Sequence, residues 1–125
     1  MKKERRILVV DDEPDNTSVF SMGLEDEGFI VDTYNDPQLA LSAFKAGIYD
    51  LLILDIKMPI MNGFELYEKI IKIDNKLKVC FLTAFGEGYH EEFRRKFPTP
   101  SSSDVNFVRK PIRIDELVKK VNGII

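Results

Sequence analysis

Short unbroken apolar runs alternate along the chain with stretches in which apolar residues recur every three or four positions. Ile7–Val10, the "LLIL" run Leu51–Leu54 and the "VCFL" run Val79–Leu82 are apolar at every position. All three read as strands, and the "LLIL" run is the pattern expected of a central strand covered on both faces of a parallel sheet. "FIVDTY", from Phe29, and Val105–Val108 are weaker and read as a second and a fifth strand. Between them lie helical patterns. Pro14 fits the first turn of a helix with Phe20, Leu24 and either Val19 or Gly23 inward, ending near Gly28. Pro37 opens a second, with Ala40, Ala43, Phe44 and Gly47 along one side. A third carries Leu66, Tyr67, Ile70 and Ile73 inward, and a fourth is predicted from about Glu87 to Lys96. The last has the cleanest periodicity, with Ile114, Leu117, Val118, Val121 and Ile124 on one face.

Five strands alternating with five helices predict an α/β fold in which a parallel sheet lies between two helical layers. The loops are too short for a second domain. The expected division is a basic N-terminal tail at residues 1–5 and one domain over 6–125. "FPTPSSSD", Phe97–Asp104, is expected to be a mobile surface loop inside that domain.

Composition changes this picture little. The chain has 125 residues, 44% of them hydrophobic and 31% charged, enough for a core without staples and unlike a disordered or fibrous chain. The single cysteine, Cys80, sits in an apolar strand and reads as a small core residue. No apolar stretch is long enough to span a bilayer, and four apolar residues after "MKKERR" are too few for a signal peptide. A soluble, cytoplasmic protein is expected. Net charge is −3, which gives no argument for nucleic-acid binding, and the basic run Lys2–Arg6 reads as a solvated terminus. His90 stands alone in "GYHEEFRRKF", so it is read as exposed and not as a metal ligand.

The polar residues that end the strands carry the chemistry. In open parallel sheets ligands bind outside the carboxyl ends of the strands. Asp11 and Asp12 follow the first strand, Asp55 the third, Thr83 the fourth, and Lys110 with Pro111 the fifth. Adjacent carboxylates repel, and burial makes each more costly unless a cation or hydrogen bonds compensate. Three carboxylates, a hydroxyl and an ammonium form an oxygen-rich set suited to a hard cation such as Mg²⁺, which takes one or two carboxylates and phosphate oxygens and keeps several waters. An aspartate ionised at neutral pH can act as the nucleophile that forms an acyl phosphate, with Lys110 and Thr83 matching charge on the phosphoryl oxygens.

With these residues in view the chain resembles the receiver (response-regulator, CheY-like) domains of two-component signalling. The resemblance spans Arg6 to Ile125 and rests on "VVDDEP" at Val9–Pro14, "YDLLILDIKMPIMNG" at Tyr49–Gly63, "LTA" at Leu82–Ala84 and "KP" at Lys110–Pro111. It implies a flavodoxin-like (βα)5 three-layer sandwich whose central five-stranded parallel sheet has the order 2-1-3-4-5. It implies further that Asp55 is the phosphoacceptor, loaded from a phosphohistidine of a sensor histidine kinase or phosphotransfer protein. Mg²⁺, with Mn²⁺ as a substitute, would bind Asp12 directly, Asp11 through a water, Asp55, and the backbone carbonyl of Lys57. Thr83 would move toward the phosphoryl group, Lys110 would pair with it, and Phe107 would be the aromatic switch that rotates inward. Pro111 matches a proline that in this family often follows a cis peptide bond, and Ala84 leaves room for the phosphodonor. The fourth helix, fifth strand and fifth helix would form the face offered to a target or to a second copy in a homodimer. Lys57 and Phe85, beside the site, have long or bulky side chains that would screen an acyl phosphate from water.

The pattern is departed from in one region. The segment from Thr83 to Lys110 is longer than is usual, and "PTPSSSD" stands where a "GA" pair is customary. Three other classes rival this reading. A phosphorylation-independent interaction module with the same fold is the alternative. An aspartate-dependent phosphatase would carry a carboxylate two residues after its nucleophile, where Lys57 stands, and a nucleotide-binding fold would carry a glycine-rich phosphate loop after the first strand, where "DDEPDN" stands. The expected protein is therefore not a turnover enzyme.

Overall fold

The three unbroken apolar runs become the three inner strands of one sheet. A computed structural model describes residues 4–84, 91, 94–95 and 105–125. The strands are β1 (Arg6–Val10), β2 (Ile30–Tyr34), β3 (Leu51–Asp55), β4 (Lys78–Thr83) and β5 (Val105–Arg109). They pair in parallel in the order β2-β1-β3-β4-β5, the order that the family resemblance implies. The described helices are α1 (Pro14–Asp26), α2 (Pro37–Ala43), α3 (Gly63–Ile71) and the C-terminal α4 (Ile114–Ile124), the fifth of the sequence prediction. Of the helix predicted over Glu87–Lys96 only Glu91, Arg94 and Arg95 are described, and all three are helical and exposed. His90, Phe85 and the 97–104 segment lie outside the described residues. Among the described residues no helix is long and apolar enough to cross a membrane.

Side-chain alternation divides each apolar run between two cores. Leu8, Val10, Leu52, Leu54, Val79 and Phe81 face one way, against Ala40 and Phe44 and against Phe64, Leu66, Tyr67 and Ile70 of α3. Ile7, Val9, Leu51, Ile53, Cys80 and Leu82 face the other way, against Phe20 and Leu24 of α1 and Leu117 and Val121 of α4. Cys80 is a buried free thiol, the core residue expected of it.

Three details differ from the periodicity. Val19 is 50% exposed, so Gly23 takes the inward place, where an added Cβ would run into the Ile114 side chain. The second helix stops at Ala43, which is exposed; Phe44 turns to extended backbone, and Gly47 lies in a loop at φ 82°, its N–H donated to Asp74 at 2.9 Å. The third helix stops at Ile71, leaving Ile73 51% exposed while Leu77 fills the core.

Arg6, read as the end of a solvated basic run, instead belongs to β1 and is paired. Its Nε donates to Asp32 Oδ2 at 2.9 Å and its Nη2 to Asp32 Oδ1 at 3.3 Å, while the Tyr49 hydroxyl donates to Asp32 Oδ2 at 2.7 Å. The hydrogen bond from Arg6 holds the Asp32 carboxyl below its ordinary value, and burial with the Asp32 bond raises the Tyr49 phenol. A depressed carboxyl contributes stability above its unfolded pKa that is lost as pH falls through the folded one. Tyr49→Phe should therefore cost about 1 kcal/mol at neutral pH, the net scale of one hydrogen bond. Urea melts of both proteins should begin to draw together as the pH falls below about 4, the ordinary range for aspartate, and converge only once it has passed the lowered Asp32 pKa.

Candidate functional site

The parallel register gathers the polar strand ends on one rim. Asp11 follows β1, Asp55 ends β3, Thr83 ends β4 and Lys110 follows β5. Asp55 lies beside Leu82 and Thr83 beside Arg109 in the ladders, and the Lys110 N–H donates to the Thr83 carbonyl at 2.7 Å. Asp11, Asp55 and Thr83 are buried and Asp12 is half-buried.

Lys110 Nζ bridges the two buried acids, 3.0 Å from Asp11 Oδ2 and 3.3 Å from Asp55 Oδ2. Asp11 is held by further donors: its Oδ1 accepts from the Glu13 N–H at 3.0 Å and its Oδ2 from the Asn16 amide at 3.2 Å. Among the described residues no hydrogen bond or ion pair holds the Asp12 carboxylate. One oxygen from each of Asp11, Asp12 and Asp55 lies within 4.8 Å of the others. These donors fit a hard divalent cation, Mg²⁺ or Mn²⁺, which favours oxygen ligands and would offset the charge they share.

An aspartate is ordinarily ionised at neutral pH, whereas this pocket pushes the Asp55 carboxyl up to about 7. Burial is the main cause and the Asp11 charge the second, with Lys110 pulling the other way. For Lys110 burial acts downward, but the Asp11 hydrogen bond and the charges of both acids outweigh it, so the ammonium is held above its ordinary pKa.

The remaining expected residues are placed as follows. The Lys110–Pro111 bond is cis. Ala84 is exposed and shares with Glu13, Asn16, Val19, Phe20, Lys110 and Pro111 the lining of a groove beside the acids. Lys57 is exposed in the loop after β3. Phe107 is half-buried, its ring 5.4 Å from Phe81 and 6.5 Å from Phe64. Two supports were not foreseen. Asn16 is one; its polar side chain in the first turn of α1 gives the only sequence hint. Gly63 is the other, since any Cβ there would strike the Asp55 carbonyl, and its N–H donates to the Ile56 carbonyl at 2.8 Å.

Fold and site together define a doubly wound α/β domain with an acidic, lysine-bridged pocket at the carboxyl ends of its strands. The chain belongs to the response regulator receiver domain family, whose model matches residues 7–122. It is 31% identical over 120 residues to the transcriptional regulatory protein TrcR of Mycobacterium tuberculosis, covering 96% of this chain and 45% of TrcR. The chain spans about half the length of the transcriptional regulators it matches. Among solved structures it is similar to the Vibrio cholerae chemotaxis protein CheY4, with a TM-score of 0.83, 25% identity, and 98% and 100% of the two chains covered. It is also similar to the Thermotoga maritima response regulator TrrA, crystallised in complex with Mg²⁺-BeF, with 35% identity, a TM-score of 0.76, and 97% and 99% covered. The acidic cluster is accordingly a receiver-type phosphoacceptor and divalent-cation site.

A carboxyl raised above its unfolded value lets the folded state keep a proton that the unfolded chain has lost, so stability declines as pH rises between the two pKa values. In EDTA the wild-type protein should lose stability from about pH 4 toward pH 7, and Asp55→Asn should not. Each pKa unit is worth about 1.4 kcal/mol. Because the substitution also takes a partner from Lys110, its expected gain at pH 8 is on the order of 2 kcal/mol, read from denaturant melts. Melts of wild type and Asp55→Asn that differ by the same amount at pH 4 and at pH 8 would show that the Asp55 carboxyl is not raised as described.

Proposed function

We propose that this chain takes a phosphoryl group onto Asp55 from a phosphohistidine on a sensor histidine kinase or phosphotransfer protein, and presents an altered surface to its targets. The observation that carries the reading is the Lys110 ammonium shared between Asp11 and Asp55 at 3.0 and 3.3 Å, with Asp12 alongside. Lys110 occupies Oδ2 of Asp55, and among the described residues Oδ1 has no protein partner, so Oδ1 is the attacking atom. As its bond to phosphorus forms, the donor's P–N bond breaks and the imidazole leaves with the electron pair. Asp12, Asp55 and the Lys57 carbonyl would hold Mg²⁺ directly and Asp11 through a water; bound there, the ion supplies positive charge against the phosphoryl oxygens. Lys110 then pairs with one phosphoryl oxygen and the Thr83 hydroxyl donates to another. Ala84, with only a methyl group, leaves the donor a path.

Residues 6–125 form the receiver domain and residues 1–5 a basic tail, and the domain works in the cytoplasm, taking one phosphoryl group per signalling cycle. Phe107 serves as the switch, and the face around β5 and the C-terminal helix meets a target or a second copy.

Intact-protein mass after incubation with acetyl phosphate and Mg²⁺ tests the assignment. One added phosphoryl group is expected, absent in Asp55→Ala and absent with EDTA. A wild-type protein that takes none under conditions where a receiver domain of demonstrated reactivity is loaded would turn the reading toward a phosphorylation-independent interaction module. A separate expectation concerns lifetime. Lys57 stands exposed two residues after Asp55, where its side chain screens the acyl phosphate from an in-line water. Lys57→Asn should speed loss of the added mass several-fold, and unchanged decay would remove Lys57 from that role.

A further inference from the structure

We propose that Asn35 is a positioning residue for the acidic pocket, holding the main chain of Asp11 from the neighbouring strand end so that cation affinity depends on a residue remote from the ligand atoms. The inference rests on the reading of Asp11, Asp12 and Asp55 as the cation and phosphoryl site. Asn35 lies between β2 and α2 and is exposed. Its Nδ2 donates to the Asp11 carbonyl at 2.9 Å and to Thr17 Oγ1 at 3.0 Å. The Asp11 carbonyl can only accept, so the group facing it must be the amide nitrogen. Thr17, 4% exposed, passes its own hydroxyl hydrogen to the Pro14 carbonyl at 3.0 Å. The preceding residue completes the clamp: the Asp11 N–H donates to the Tyr34 carbonyl at 3.1 Å.

Successive residues 34 and 35 thus take both main-chain groups of Asp11, while Asn35, Thr17 and Pro14 close the turn from β1 into α1. The Asp11 carboxylate is engaged as well, by Glu13, Asn16 and Lys110. Asp12, by contrast, has no side-chain partner among the described residues, so its direction is set by the main chain that Asn35 fixes. Without a cation the three carboxylates repel, and an untethered loop would relax outward; rebinding would then cost the free energy of drawing it back. Groups that orient metal ligands from behind act on affinity in this way. The side chain at this place must supply two N–H donors without adding charge, which an amide does and a carboxylate or an aliphatic group does not.

The test is an NMR titration with Mg²⁺ alone on wild type, Asn35→Ala, Asn35→Leu and Thr17→Val, beside thermal melts and amide exchange in EDTA. Losing one or two neutral hydrogen bonds of positioning corresponds to about three- to tenfold weaker Mg²⁺ binding. Both Asn35 variants should show that loss, Thr17→Val a smaller one, and the Asp11 and Glu13 amides should exchange faster in the metal-free Asn35 variants. Because Asn35 is exposed, its truncation opens no cavity, and the melting temperature should fall by no more than the few degrees that one or two hydrogen bonds are worth. Mg²⁺ affinity within twofold of wild type in both Asn35 variants would overturn the proposal, whatever the melts show. The titration needs no phosphoryl transfer, so a protein that binds Mg²⁺ but is never phosphorylated would sink the functional reading and leave this one standing.

Discussion

Everything at the rim depends on one ammonium set between two buried carboxylates. Taking an ion out of water costs several kcal/mol unless partners replace the water. Lys110 serves Asp11 and Asp55 at once, yet with Asp12 the cluster counts three negative charges against one positive. The deficit of two is the charge of a divalent cation. Burial and, after it, the Asp11 charge push the Asp55 carboxyl up to about 7. The affinity for a cation and the reluctance of Asp55 to ionise have the same origin.

The sheet makes that arrangement possible. The acids and the lysine come from segments far apart in sequence, and only a fixed parallel register brings them together. The inner strands are buried on both faces, so a one-residue slip would exchange the two cores and is strongly opposed. Gly63 extends the constraint from the strand into the loop after it, because the close approach of α3 to the Asp55 carbonyl admits no side chain. The lower end of the sheet is tied separately, by Arg6, Asp32 and Tyr49.

How much of this was legible in the sequence depended on whether a pattern or a partner decided it. The inner strands and the acids were legible because a charge ending an apolar run breaks the pattern at the place where a parallel sheet puts its ligands. The ends of the second and third helices were not. The apolar spacing of Gly47 and Ile73 continues past the point where Phe44 leaves helical backbone and Ile71 ends its helix. Arg6 looked like part of a basic tail because its neighbours are basic, while its partner Asp32 stands 26 positions away. The choice between Val19 and Gly23 needed Ile114, from the far end of the chain. Asn35 bonds to a main-chain carbonyl, which every residue possesses, so no sequence pattern marks its target. Ile60, at φ 71°, adopts a conformation its β-branched side chain gives no reason to expect.

On the proposed reading, phosphorylation acts by redividing Lys110. A phosphoryl group brings about −1.5 to −2 charge and further acceptor oxygens, so the ammonium can no longer be shared as it is in the unmodified pocket. A modification biases only states that differ in their contacts, and those contacts lie on two adjoining strands. Lys110 donates its N–H to the Thr83 carbonyl, which binds the end of β5 to the end of β4. Phe107 lies on the same strand as the residue before Lys110, half-buried against Phe81 and Phe64. A half-buried ring moves at less cost to the core than the fully buried Phe64 and Phe81 would. On that reading the half-buried Phe107 is, among the described residues of this face, the aromatic that responds to a charge added at Asp55 at low cost to the fold.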